Sequence, residues 1–256
     1  MIHIRSLTKN YGTQAAVKGI SLDIPDGQLV GLLGPNGAGK STTIRMLTGM
    51  LAPTSGTAEV DGHDIVRDPL GVKRVVGYVP ESGALFEALT AHEYLRLVAA
   101  LYHIAEDDAD KRIAQFADFF DLDRATLRSK SLAAYSKGMR QKVVITSALL
   151  HNPRVVFFDE PLSGLDANAA LAFKTLITSL AREGKTILYC SHILDVVERV
   201  CERVVIIHQG EIVADGSAEA LKAQCGEPSL ERVFNKLTAT ENLLARAEEF
   251  ARALSQ

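Results

Sequence analysis

Nine residues, GPNGAGKST from Gly34 to Thr42, put three glycines, a lysine and two hydroxyls between an apolar run (QLVGLLG) and an apolar-periodic run (TIRMLTGML). Glycines let a backbone bend and come close to a ligand, and successive N–H groups at a helix start make a concavity for anions. Lys40 adds a point charge for outer phosphates, and Ser41 offers a hydroxyl to a divalent metal. Gly34, Pro35, Asn36, Gly37, Ala38, Gly39, Lys40, Ser41 and Thr42 are therefore the expected polyphosphate cradle. A second chemical pair ends RVVFFDE, Arg154 to Glu160, a buried-strand pattern with two adjacent carboxylates. Asp159 suits support of Mg²⁺ opposite the Ser41 hydroxyl, and Glu160 suits orientation and deprotonation of a water attacking a γ-phosphate. His192, in TILYCSH, follows the next apolar strand and is expected at the same sheet edge, where open α/β sheets bind ligands. Taken alone, a lone histidine is more often structural than catalytic.

The elements that must carry these residues can be read from periodicity. HIRSL, AAVKGISLDI and QLVGLL, separated by YG, PDG and GPNG turns, predict a small antiparallel sheet that feeds the phosphate loop. TAEVD (57–61) and VVGYV (75–79) predict two further strands. From Thr90 the apolar spacing turns helical, with starts near Thr90 and Glu106, and stays so to about Leu150. VVFFD, TILYCS and RVVIIHQ then alternate with helical patterns, as in a parallel sheet. The expected fold is α/β: a P-loop nucleotide hydrolase core with a mixed, mainly parallel sheet, an N-terminal antiparallel β subdomain and an inserted helical subdomain at about 85–150. Residues 239–256 are expected to form a C-terminal helical extension, because Leu243, Leu244, Ala247, Phe250, Ala251 and Leu254 share one stripe.

The chain has 256 residues, with 28 Lys and Arg against 31 Asp and Glu, so it lacks the basic field common in nucleic-acid binders. Its three cysteines, Cys190, Cys201 and Cys225, form no CxxC pair, and reduced thiols in a cytosolic protein are the expectation. MIHIRSLTKNYG does not read as a signal peptide, and no uncharged apolar stretch approaches the length of a membrane span.

Taken in order, these segments resemble an ATP-binding cassette (ABC) transporter ATPase, and the resemblance implies a domain spanning 1–238. GPNGAGKST resembles the family's phosphate loop and VVFFDE its metal strand with catalytic glutamate. Tyr11, in KNYG, matches the aromatic on which adenine stacks, and His192 the switch histidine that contacts the γ-phosphate. SGLD, Ser163 to Asp166, resembles the loop by which each subunit senses the other's site. YSKGM, from Tyr135, falls where the family carries its LSGGQ signature, and it keeps Ser136 and Gly138 while Lys137 adds a cation. Glu81 replaces the family's glutamine after GYVP, a carboxylate in place of an amide as a ligand for Mg²⁺. Both departures are similar to the exporter branch, which shifts the expectation towards efflux.

The resemblance implies a catalytic set of Glu160, His192 and Lys40, and a metal set of Ser41, Glu81 and Asp159. To the cradle it adds Tyr11, Ser136, Gly138 and Asp166 as ATP contacts. The signature helix lies in the helical insertion, too far to serve its own loop, so two chains head to tail would each sandwich ATP. ATP and Mg²⁺ are the implied cofactors. The implied partners are a second ATPase subunit, as a homodimer, and a separately encoded multi-span permease, with no nucleic acid. That places the chain on the cytoplasmic face of the cell membrane, with residues 81–104, including Phe86, Leu89 and Tyr94, as the candidate docking surface. The rival reading is an ABC ATPase that remodels a partner outside the membrane. Two cassettes in one chain or a long coiled-coil insertion would favour it, and neither is present.

Overall fold

In the computed structural model, residues 1–238 are described, together with 252 and 253. The strands β1 (Ile2–Tyr11) and β2 (Gln14–Ile24) form an antiparallel hairpin, and β4 (Ser55–Val60) and β5 (His63–Asp64) complete its sheet in the order β2-β1-β4-β5. The apolar run β3 (Leu29–Leu33), expected in that sheet, lies instead at the centre of the second one. There the order is β10-β9-β3-β8-β7-β6. The reason is burial. All five residues of β3, of β7 (Val155–Asp159) and of β8 (Thr186–Cys190) are buried, a pattern that only a sheet covered on both faces accommodates.

Pairing in that sheet is parallel from β6 (Val76–Val79) through β7, β8 and β3 to β9 (Arg203–His208). Only β10 (Glu211–Gly216) runs antiparallel, on β9. Alternation along β3 divides the core. Val30 and Leu32 join an apolar cluster under the antiparallel sheet, with Ile44, Met46 and Leu47 of α1 (Lys40–Leu47). Leu29 and Leu33 face the opposite cluster, with Phe173 and Ile177 of α7 (Ala167–Arg182) and Val196 and Val197 of α8 (Leu194–Val200). Before these, α2 (Pro69–Val75) leads into β6.

A third apolar cluster gathers residues between Ala91 and Leu150. It is built by α3 (Ala91–Leu101), α4 (Glu106–Phe119), α5 (Arg124–Ser129) and the first half of α6 (Lys137–Leu149). α3 starts where the spacing predicts. Thr90 Oγ1 accepts from the Glu93 N–H at 3.2 Å, and Glu93 Oε2 accepts from the Thr90 N–H at 2.8 Å, a reciprocal cap. α4 starts on Ala105, without a side-chain cap, but Glu106, Asp107 and Asp108 put three carboxylates in its first turn. Two short helices, α9 (Ala218–Cys225) and α10 (Leu230–Leu237), close the described chain against the second cluster. The extension expected over 239–256 lies outside the described residues except at 252 and 253.

Candidate nucleotide site

The phosphate-loop sequence connects β3 to α1 and bends over its own carbonyls. Lys40 Nζ donates to the Gly34 carbonyl at 2.5 Å and to that of Pro35 at 3.1 Å, which holds the ammonium over the loop mouth. Gly39 caps the helix with φ +108°, and a Cβ there would lie 2.5 Å from the Ala16 carbonyl of β2. No other residue meets both demands. The hairpin tip is thus pressed against the loop, and a cleft of about 810 Å³ opens between them.

Asn36 through Thr42 line that cleft, with Tyr11, Glu81, Asp159, Glu160 and His192. Gly34 and Pro35 lie behind the lining and present their carbonyls to Lys40. Tyr11 is half exposed at the hairpin tip, with Lys9 Nζ 5.5 Å from its ring centroid. Gln14, paired with Tyr11 across the turn, and Ala16 also line the cleft, and sequence reasoning missed both. No local pattern marks them, since they join the site only because the two sheets stack.

Asp159 and Glu160 separate sharply in environment. Asp159 closes β7 at 3% exposure, and its carboxyl is pushed above the usual range by burial. Glu81 pushes the same way, while the Ser41 hydroxyl, Lys40 and Arg45 oppose it. Glu160 sits one residue past the strand at φ +51°, a left-handed conformation that is uncommon outside glycine, held by its N–H on the Cys190 carbonyl at 3.0 Å. That turn aims its carboxylate out of the sheet, where Oε2 meets His192 Nδ1 at 2.8 Å. Cys190 itself is fully buried, and its thiol is pushed well up by desolvation.

Ser41, Glu81 and Asp159 lie along one side of the cleft. A hydroxyl and two carboxylates are hard oxygen donors, and they fit a small divalent cation that keeps water and phosphate oxygens as its remaining ligands. Among the described residues no group of three His, Cys, Asp or Glu side chains forms a metal cage by itself. A second groove of about 630 Å³ continues from these three residues, past Tyr78 and Met50, to Tyr94 and Val144 of the helical section. Phe86 stands 64% exposed, 6.3 Å from the Tyr94 ring. Leu89 is half-buried.

The structure does not bring the rest of the expected ATP set into the cleft. The Ser136 hydroxyl caps α6 by accepting from the Met139 N–H at 3.2 Å, and Asp166 caps α7 by accepting from the Ala169 N–H at 2.8 Å. Gly138 abuts the SGLD loop of its own chain, where a Cβ would come within 2.5 Å of the Gly164 carbonyl. Lys137, expected to project towards phosphate, has its ammonium on Ser163 Oγ at 2.8 Å.

Residues 17–163 match the ABC transporter family. The chain is 39% identical to the ABC transporter ATP-binding protein NatA of Bacillus subtilis (strain 168), over 86% of this chain and 89% of that protein. It is 37% identical to the linearmycin resistance ATP-binding protein LnrL of the same organism, over 88% of this chain and 72% of that one. Among solved structures it is similar to an ATP-binding subunit of an ABC transporter, with TM-score 0.86 and 34% identity over 93% of this chain and 99% of that chain. A dimeric post-hydrolysis state of the ATP-binding cassette MJ0796, bound to ADP and Pi, aligns with TM-score 0.79 and 25% identity, over 85% and 98% of the two chains.

Proposed function

The chain belongs to the ABC transporter family as an ATP-binding, ATP-hydrolysing subunit, and from that premise we propose that it powers efflux through a separate multi-span permease. One observation supports the mechanism most. The phosphate loop, Asp159, Glu160 and His192 share one cleft, while Ser136 and Gly138 lie outside it. A site that excludes its own signature residues is completed by a second copy, head to tail, as the dimeric state of the related cassette supports. In this reading the backbone N–H groups of Asn36 to Thr42 and the Lys40 ammonium hold the β- and γ-phosphates, and adenine stacks on Tyr11. Glu160 takes the proton of the attacking water, and His192 orients that carboxylate and contacts the γ-phosphate. Ser136 and Gly138 of the second copy, with its Asp166, cover the nucleotide from the other side. Ser41, Asp159 and Glu81 would hold Mg²⁺, which would supply charge neutralisation at the phosphate oxygens.

Among the described residues no helix is long and apolar enough to cross a membrane, and contact with the permease is assigned to the second groove, between Glu81 and Tyr94. The export direction draws on the resistance relative and on the variants Glu81 and YSKGM. The reading of helices inserted at about 85–150 within a domain of 1–238 draws support from the third cluster, which gathers residues between Ala91 and Leu150. Membrane vesicles carrying the chain together with a candidate multi-span permease test the whole. ATP-dependent extrusion of an amphiphilic drug, lost with Lys40→Ala, is expected. Full ATP turnover with no membrane protein copurifying would favour the rival remodelling role.

A further inference from the structure

One face of α6 grips the loop that follows Glu160. Lys137 Nζ donates to Ser163 Oγ at 2.8 Å. One turn on, Gln141 is only 6% exposed, and its Nε2 donates to the Pro161 carbonyl at 3.0 Å. Lys142 Nζ lies 3.4 Å from Asp166 Oδ2. The four-residue spacing of 137 and 141 is that of a single helix face, and Lys142 reaches Asp166 from its flank. The segments also pack closely. A Cβ on Gly164, at φ +82°, would lie 2.8 Å from Lys137 Cγ, and one on Gly138 would lie 2.5 Å from the Gly164 carbonyl. Ser163 in turn donates its N–H to the Glu160 carbonyl at 3.2 Å. A hydrogen-bonded path therefore runs from the start of α6 through Ser163 to the residue that faces His192.

We propose that Lys137 is a positioning residue for Glu160 of its own chain, acting through Ser163, and is not a phosphate ligand of the second copy's site. The proposal rests on the reading of Glu160 as the general base and of the α6 N-terminus as the cover of the partner's nucleotide. On that reading, one short strap joins the part of the chain that serves the partner's ATP to the base that serves its own. Nucleotide closing on Ser136 would shift Lys137 and, through it, the Glu160 turn. Gln141 is the fixed anchor of the strap, because losing it would leave the Pro161 carbonyl without its buried donor. Lys137 is its adjustable end, exposed and free to lengthen its bond without cost to the core.

The test is steady-state ATP hydrolysis by the full chain, reading kcat and KM separately, for Lys137→Ala, Ser163→Ala, the double variant and Lys137→Arg. Wild-type turnover, and its loss in Glu160→Gln, establish the underlying reading first, so failure there is distinct from failure of the strap. Each single variant is expected to lower kcat roughly three- to thirty-fold with KM for ATP nearly unchanged. The double variant should be no worse than the poorer single, and Lys137→Arg should recover most of the rate. A rise in KM confined to the Lys137 variants, with Ser163→Ala silent, would assign Lys137 to the partner's phosphate. Losses that multiply in the double variant, unchanged kcat in both singles, or no recovery with arginine would equally overturn the strap.

Discussion

Two neighbouring carboxylates at the end of β7 face different surroundings because a strand alternates its side chains and a left-handed turn then redirects the next one. Asp159 stays in the sheet, buried beside Ser41, whereas Glu160 turns out to His192. That division of labour predicts different losses. Glu160→Gln keeps the hydrogen-bonding shape but removes the proposed base, so ATP binding should persist while turnover falls on the order of 10²–10⁴-fold. Equilibrium nucleotide binding and single-turnover hydrolysis check it, and near-normal turnover would remove Glu160 from the role. Glu81→Gln changes a charged oxygen donor to a neutral one. The half-saturating Mg²⁺ concentration at fixed ATP should rise several-fold, with nucleotide affinity in Mg²⁺-free buffer unaltered. An unchanged Mg²⁺ titration would mean that Glu81 does not reach the metal.

The elements meet at a histidine the nucleotide site does not use. His151 follows α6 and stacks on Tyr102, at the end of α3, with ring centroids 3.7 Å apart and planes 12° from parallel. Its Nε2 donates to the Val76 carbonyl of β6 at 3.1 Å, while Nδ1 is buried without a protein partner. Burial first, then Lys185 and Arg112, hold its pKa down at about 4, against the pull of the Val76 bond. The sign follows directly. Between about pH 6.5 and 4 the unfolded chain binds a proton that the folded chain refuses, so stability falls as pH drops through that window. The full loss would be up to about 3 kcal/mol, with partial exposure of the ring reducing it. Urea midpoints at pH 7.5 and 5 should differ less in His151→Phe than in the wild type, since phenylalanine keeps the stack and has no proton to gain. An equal acid sensitivity in both would place the sensitive group elsewhere.

At the scale of the whole molecule, the cleft and the signature residues occupy separate places in one chain, and complementation by mixing follows. On the proposed head-to-tail arrangement, Lys40→Ala would inactivate the loop of its own chain, and Ser136→Arg would block the cover that the chain lends. A mixed dimer then holds one doubly damaged site and one intact site. Random pairing predicts recovery of about a quarter of the wild-type sites from two inactive preparations, measured as ATP turnover. No recovery at any mixing ratio would mean that the chains do not share sites, or that one site cannot fire alone. Much of the cleft's lining was legible in the sequence. Gly34 to Thr42 and the Asp159–Glu160 pair could be read from residue type and spacing because phosphate binding needs contiguous N–H groups and a strand end fixes two carboxylates locally. The helix starts near Thr90 and Glu106 were likewise legible from local sequence. Only the tertiary structure moved QLVGLL from the antiparallel sheet to the centre of the parallel one, since an apolar run reads the same in either until both of its faces are seen to be covered. The same holds for Gln14 and Ala16 at the cleft and for Lys137 on Ser163. Each depends on residues distant in sequence arriving at one place, and that is decided by how the sheets and helices stack.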